Sequence, residues 1–188
     1  MSDIRIVPAT GERFADLGTL LGPRGGPGGC WCMLWRMKRK DYDAAGAEGR
    51  KAAMQGAFAS DRACGLLAYD GETPVGWCSI APRSAFPRLE GSRILAPVDD
   101  APVWSITCFF IARDRRRGGL SVRLLGAAAD HVVRLGGSVV EGYPVDPDRK
   151  DYPAAYAWVG LAGAYRKAGF QEVARRSPTR PIMRRYLG

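Results

Sequence analysis

Arginine and glycine concentrate in one short stretch, RDRRRGGLSVRLL (residues 113–125), which runs directly into an apolar helical pattern. A helix start leaves roughly four backbone amides without partners and carries about half a positive charge. Gly118 and Gly119 remove the Cβ atoms that would keep an anion away from those amides, and the arginines add charge-assisted hydrogen bonds. The spacing therefore predicts a phosphate-type anion site; the alternative is a solvated, charged turn.

Two other residues have side chains suited to proton transfer. Glu141 lies in the β-prone run VVEGYP and could accept a proton as a general base, directly or through water. The alternative is a strand carboxylate paired with one of the many arginines. Tyr165, in AYRKAGF, has a hydroxyl that could donate a proton, or it is a helix tyrosine whose ring packs in the core. His131 lies on the apolar side of a helical pattern and is interpreted as a partly buried structural residue.

Strands and helices alternate along the chain and must bring these residues together. Strand patterns cover 3–7, 103–111, 138–145, 170–176 and 181–187, and a hairpin signal around Asp70-Gly71 covers 64–81. Helical patterns cover 10–21 with Thr10 as cap, 44–59, 119–135 and 154–169. The glycine- and proline-rich stretches 22–29 and 82–102 are predicted loops. No repeat or linker interrupts this order, which predicts one α/β domain over 1–188.

Several motifs together resemble those of a known family. Residues 116–121, RRGGLS, fit the pattern R/QxxGxG/A with serine in the last small position, and AYRKAGF is similar to a YxKxGF element. With the order of strand, turn, helix and strand around them, they resemble the GCN5-related N-acetyltransferase (GNAT) superfamily. The resemblance covers about 65–186 and leaves 1–64 as a variable, acceptor-side part. The motifs GCWCMLWR, WSITCF and EGYPVD are also similar to those of a bacterial subgroup.

This resemblance implies a fold, a cosubstrate and site residues. The implied fold is a central, mixed but mostly antiparallel twisted sheet of about seven strands flanked by helices. The implied reaction moves an acetyl group from acetyl-CoA to an amine by direct attack in a ternary complex, with Tyr165 as the general acid and Glu141 as the nominated base. In acetyl-CoA binding, the pantetheine arm would pair with the backbone of Phe109, Phe110 and Ile111. The pyrophosphate would be held by Arg116, Arg117, Gly118, Gly119, Leu120 and Ser121. Two positions depart from the family pattern: Trp158 replaces an asparagine, and Arg113 replaces a proline.

The stretch GCWCMLWR is the candidate acceptor pocket. Its aromatic faces and its arginine would receive an amine-bearing small molecule with an acidic or planar part. The pocket residues would be Cys30, Trp31, Trp35 and Arg36. The alternative is an N-terminal helix that packs both tryptophans into the core. A structural zinc site is not predicted, because the CxC spacing and a single histidine do not supply paired ligands.

Composition leaves other function classes open. A net charge of +9 favours an anionic ligand or partner, so a nucleic-acid-binding protein is an alternative, although no nucleic-acid-binding motif accompanies the arginine clusters. A GNAT domain that binds CoA without transferring acetyl is another. The sequence shows no transmembrane run and no secretory signal, which predicts a cytoplasmic protein with five reduced cysteines. The acceptor stays open between small-molecule and protein amines, and the resemblance implies a homodimer.

Overall fold

Seven strands form one sheet in a computed structural model of the chain, which describes residues 4–60, 64–147 and 157–188. The order across the sheet is β1-β2-β3-β4-β5-β7-β6, and every neighbouring pair is antiparallel except β4 and β5. This confirms the predicted mixed, mostly antiparallel fold. The strands are β1 (Ile4–Pro8), β2 (Gly65–Asp70), β3 (Thr73–Pro82), β4 (Trp104–Ile111), β5 (Val139–Gly142), β6 (Gln171–Arg175) and β7 (Pro181–Tyr186).

Helices cover both faces of the sheet. They are α1 (Phe14–Leu21), α2 (Arg39–Ala59), α3 (Pro87–Glu90), α4 (Leu120–Arg134) and α5 (Ala162–Lys167). Because side chains alternate along a strand, Leu66 packs with α4 on one face while Leu67 packs with α1 and α2 on the other. None of the helices described here is both long and apolar enough to span a membrane.

The parallel contact between β4 and β5 is short. Only Trp104 to Ile106 of β4 pair with Val140 to Gly142 of β5, and β4 then continues to Ile111 while β5 ends. The two strands therefore part after Ile106. Thr107 to Ile111 present one backbone edge to β3 and the other to a gap in the sheet, which we call the seam.

The helices differ from the sequence-based prediction at three places. Thr10 does not cap a helix; its hydroxyl accepts a hydrogen bond from Arg13, and α1 begins only after a short 3-10 turn. Helix α2 begins at Arg39 rather than at residue 44, with a break at Gly46 (φ 60°). The helix expected over 154–169 is shortened to α5, and its residues 154–156 lie outside the described ranges.

The proline-rich stretch 82–102 is more ordered than a plain loop. It contains α3 and buries Phe86, Leu89 and Leu95 in a third apolar cluster with Tyr143. The stretch GCWCMLWR, for which a helix was the alternative prediction, forms turns instead. Trp31 (φ 46°) and Cys32 (φ 56°) are consecutive left-handed residues, which a helix cannot accommodate.

Candidate functional site

The arginine and glycine turn lies directly after β4, where the sequence predicts an anion site. A 3-10 turn at Arg113–Arg115 is followed by Arg117 (φ 65°) and Gly119 (φ 80°), both left-handed, and α4 begins at Leu120 with no side chain capping it. A Cβ built on Gly119 would meet no atom within 4 Å, so the space above the helix start is open. Unfilled amides, open space and nearby arginines are the requirements of a phosphate cradle.

A cavity of about 280 Å³ opens at this turn. The lining residues are Ile4, Asp114, Arg115, Arg116, Gly118, Leu120 and Arg123. Of the predicted pyrophosphate residues, Arg116, Gly118 and Leu120 thus face the cavity. Arg117, Gly119 and Ser121 are absent from its lining.

Three arginines around the cavity are fixed by contacts with other elements. Arg115 pairs with Asp70 at the end of β2, and Arg123 donates to the carbonyl of Ile4 in β1 (2.8 Å). Arg116 donates through Nε to the carbonyl of Ile111, the last residue of β4 (3.0 Å). Arg115 and Arg123 were not among the predicted cofactor residues, although both lie in the quoted arginine-rich stretch. Their contacts with β1 and β2, which are distant in sequence, bring them to the cavity.

The seam begins beside this cavity and follows the free edge of β4. The amide of Ala112 donates to Val75 on β3, so by alternation the amides of Phe109 and Ile111 face the seam. The amide of Phe109 donates to the carbonyl of Trp158 (2.6 Å). The three predicted pantetheine residues therefore differ in the availability of their amides. The amide of Phe110 faces β3, and the amide of Phe109 already has a backbone partner. The amide of Ile111 faces the seam.

Tyr165 lies where β4 and β5 part. Its buried ring packs edge-on against Phe109 (6.2 Å between centroids), and its hydroxyl donates to the carbonyl of Val159 (3.3 Å). A Cβ on Gly142, the last residue of β5, would lie 2.7 Å from the Tyr165 hydroxyl oxygen, so only glycine leaves room for it. Burial raises the pKa of Tyr165 well above its usual range, which keeps its proton in place at neutral pH.

Glu141 is held in a buried ion-pair network instead of facing the seam. Its Oε2 accepts from Arg184 (2.7 Å), and its Oε1 accepts from Tyr143 (2.6 Å) and Arg83 (3.2 Å). Arg184 in turn donates to Asp99. Both carboxylate oxygens thus carry cationic or hydroxyl partners. This geometry favours the alternative, a structural ion-pair partner, over a general base.

The predicted acceptor residues separate into two groups. Trp31 is a core residue stacked on Phe14 (5.9 Å between centroids), and Cys30 accepts a hydrogen bond from the backbone of Cys32. Trp35 instead contacts Trp158, the residue whose carbonyl reaches the seam (6.3 Å between centroids). Arg36 lines a second cavity, described below.

The remaining candidate groups do not form a second site. Within the ranges described, no three His, Cys, Asp or Glu side chains come together as metal ligands. The five cysteines are free thiols, and Cys32 Sγ lies 3.2 Å from Cys108 Sγ. His131 is buried in α4, and burial lowers its pKa, so it is neutral at pH 7.

The C-terminal arginines, which kept nucleic-acid binding open, are largely engaged by other groups of the protein. Arg175 pairs with Asp146 and Glu172, and Arg184 pairs with Glu141 and Asp99. Two further arginines donate to backbone carbonyls: Arg176 to Ala96 and Pro97, and Arg185 to Ala168. Carboxylates thus compensate Arg175 and Arg184, whereas the carbonyl partners of Arg176 and Arg185 leave their charges in place.

Comparisons with known proteins agree with this geometry. No protein of curated function matches the sequence significantly. Solved structures with the same fold include a GNAT-family acetyltransferase from Streptococcus pneumoniae (15% identity, 99% of this chain and 100% of the other, TM-score 0.55). An N-acetyltransferase of Thermoplasma acidophilum, solved with coenzyme A, has 12% identity over 98% and 99% of the two chains (TM-score 0.53). The ribosomal-protein-S18-alanine N-acetyltransferase of Escherichia coli has 12% identity over 99% and 95% (TM-score 0.52).

A sequence profile assigns the family directly. The profile of the acetyltransferase (GNAT) family matches residues 31–161, which is more than half of the 188-residue chain. The matched range contains β4, the arginine and glycine turn and α4, the elements that build the cavity and the seam. The chain therefore belongs to the GNAT family of acetyltransferases.

Proposed function

We propose that this protein transfers an acetyl group from acetyl-CoA to an amine by direct attack in a ternary complex. The observation that carries the proposal is the continuity of three features: the cavity at the arginine and glycine turn, the free edge of β4, and the Tyr165 hydroxyl where β4 and β5 part. A diphosphate with an extended arm fits that order, because an anion cradle leads directly onto an unpaired strand edge.

The chain's own groups divide the binding of acetyl-CoA between them. Arg116, Arg115 and Arg123 supply guanidinium groups around the cavity for the pyrophosphate, together with the amides at the start of α4. The pantetheine arm would pair with the seam-facing amide of Ile111. The Phe109 amide is available only if the Trp158 carbonyl moves away.

Chemistry in the seam needs a proton donor and a dry site. When bound, acetyl-CoA supplies a thioester whose carbonyl carbon accepts the attacking amine. Tyr165 holds its proton on a hydroxyl that lies where the strands part and donates to the Val159 carbonyl; it would turn from that carbonyl and donate the proton to the departing thiolate sulfur, and the proton lost by the attacking nitrogen would return to its phenolate oxygen. Phe109 and Phe170 pack around the Tyr165 ring and keep water from it. Glu141 orients β5 and β7 through Arg184 and takes no proton.

Calorimetric titration with acetyl-CoA tests this proposal first, followed by thiol release in the presence of amines. We expect micromolar affinity and CoA release that depends on an added amine. Binding without release for any amine would favour the alternative of a CoA-binding domain without transferase activity. No acetyl-CoA binding, together with salt-dependent binding to DNA or RNA, would favour the nucleic-acid alternative.

Tyr165→Phe is expected to lower kcat about 100-fold or more without changing the affinity for acetyl-CoA, because the proton donor is lost. The ring contacts with Phe109 and Phe170 remain and only the hydrogen bond to Val159 is lost, so the melting temperature should fall by about 2–4 °C. Steady-state thiol release and calorimetry measure the two quantities. Because the pKa of Tyr165 is raised, kcat should show no loss of this proton donor up to pH 10. An unchanged kcat would assign the hydroxyl to packing alone.

A further inference from the structure

Polar side chains interrupt the apolar face of the sheet that α1 and α2 cover. Ser79, Ser105 and Thr107 are fully buried there, between the cluster around Trp77 and the cluster around Phe86. Thr107 donates to Ser79 Oγ (3.4 Å), and Thr107 is the first residue of β4 beyond its pairing with β5. This polar strip therefore reaches from β3 to the seam, where the acetyl group would be transferred.

Arg36 extends this strip with a cation. Its Nη2 donates to Ser79 Oγ (3.1 Å) and to the carbonyl of Cys64 (2.6 Å), and its guanidinium lies over the ring of Phe86 (4.6 Å). Both hydrogen bonds to described residues come from this one nitrogen. Nε is buried without a hydrogen-bond partner among the described residues.

The charge of Arg36 lacks a compensating carboxylate among the residues that the structure describes. The buried Arg184 pairs with two carboxylates, whereas the partners of the half-buried Arg36 are a carbonyl and a hydroxyl. Burial lowers the pKa of Arg36, as expected for a cation removed from water without a partner. A buried, uncompensated guanidinium is unfavourable unless a ligand completes it.

A cavity gives a ligand access to this guanidinium. It measures about 220 Å³ and is lined by Arg36, by the small side chains Ala57, Ala81 and Ser84, and by Cys64 and Pro82. The cavity has room for one small chemical group. Its other lining side chains are small and uncharged, so Arg36 supplies the charge of this cavity. A carboxylate matches a guanidinium in charge and in planar, two-point geometry.

We infer that Arg36 binds a carboxylate of the acceptor, so that the amine substrate is a small molecule with both an amine and a carboxylate. This inference rests on the proposed function and names its substrate class. The carboxylate would sit on Arg36 and the amine would face the seam, to which Arg36 is linked through the hydrogen-bonded hydroxyls of Ser79 and Thr107. Purely cationic amines fit less well, because a buried guanidinium repels them.

Matched acids and amides test the inference. The proteinogenic amino acids, their α-carboxamides and spermidine are titrated into the protein saturated with CoA, so that binding is measured without turnover. We expect at least one acid to bind at least ~10-fold more tightly than its carboxamide, since a charge-assisted pair is lost in the amide. Equal binding of acids and amides, preferential binding of spermidine, or binding of no acid would overturn the inference.

Variants assign that preference to Arg36. Arg36→Gln should abolish the difference between acid and amide, and Arg36→Lys should retain part of it because charge without the planar fork remains. Arg39→Gln is the matched control, since Arg39 is exposed and pairs with Asp43 on the surface of α2. The acid-to-amide ratio is the decisive readout, because a purely structural role of Arg36 would weaken both ligands alike.

The same experiment separates this inference from the proposed function. Acetyl-CoA binds at the far end of the seam, so its affinity in Arg36→Gln reports whether the variant is folded. If that variant does not fold, the wild-type ratio and Arg36→Lys decide the question. If the wild-type protein acetylates amides as readily as acids, the assignment of Arg36 is wrong and the proposed transferase activity stands. If it binds no acetyl-CoA, the proposed transferase activity is wrong.

Discussion

Gly118→Asp is expected to lower the affinity for acetyl-CoA at least ~100-fold, because it places a carboxylate in the cavity that would hold the pyrophosphate. Juxtaposed like charges cost several kcal/mol, and each 1.4 kcal/mol corresponds to about tenfold in affinity. Calorimetric titration of the variant with acetyl-CoA measures the loss.

The fold should tolerate this substitution, which makes the result interpretable. Gly118 lacks the positive φ of Gly119, and a Cβ at Gly118 would meet only the Arg115 carbonyl at an ordinary 3.7 Å. An acidic residue next to the N-terminus of α4 also stabilises the helix. Gly118→Ala is the control and should bind acetyl-CoA nearly as the wild type does. Unchanged binding by the aspartate variant would show that the anion site lies elsewhere.

Glu141→Gln is expected to reduce the free energy of unfolding by about 3 kcal/mol, because it leaves Arg184 and Arg83 with less compensation inside the protein. Urea denaturation followed by tryptophan fluorescence measures the change. Glu172→Gln is the matched control. Its pair with Arg175 is largely solvated, so its loss should cost under about 1 kcal/mol.

The kinetics of the folded Glu141→Gln protein separate the two roles of this carboxylate. A structural role predicts a kcat close to that of the wild type at temperatures where the variant is folded. A general base would instead give a loss of about 100-fold or more, with a changed pH profile. Wild-type stability combined with such a loss would contradict the ion-pair assignment and restore Glu141 as the base.

The separation of residues along the chain determined which parts of the site could be predicted from the sequence. The cavity at the arginine and glycine turn could be anticipated because Arg116, Gly118 and the start of α4 are neighbours in the chain. The role of Glu141 was not, since its partners Arg83 and Arg184 lie 58 and 43 residues away in sequence. No local pattern marks which arginine a buried carboxylate will meet.

The stretch GCWCMLWR shows how tertiary contacts override local preference. Gly25 approaches the Trp31 ring so closely that no side chain fits there, and Trp31 stacks on Phe14 of α1. The Cys32 thiol at the same time contacts Cys108 on β4. These contacts are available only when Trp31 and Cys32 adopt left-handed backbone angles, and burial of a tryptophan outweighs the roughly 1–3 kcal/mol cost of each such residue.

The shortness of the pairing between β4 and β5 also bears on how the molecule unfolds. Strands β1 to β4 are each hydrogen-bonded to the next strand in the chain, and β5 to β7 form a second antiparallel group. The strand pairing between the two groups comprises three residue pairs, to which the helices, the Arg83–Glu141 ion pair and the Phe109–Trp158 hydrogen bond add contacts. A ligand lying along Thr107 to Ile111 would contact both groups of strands and would stabilise the native state by mass action. The strand pairing with the fewest residue pairs would then also border the cosubstrate, whose contacts would add to those between the two groups.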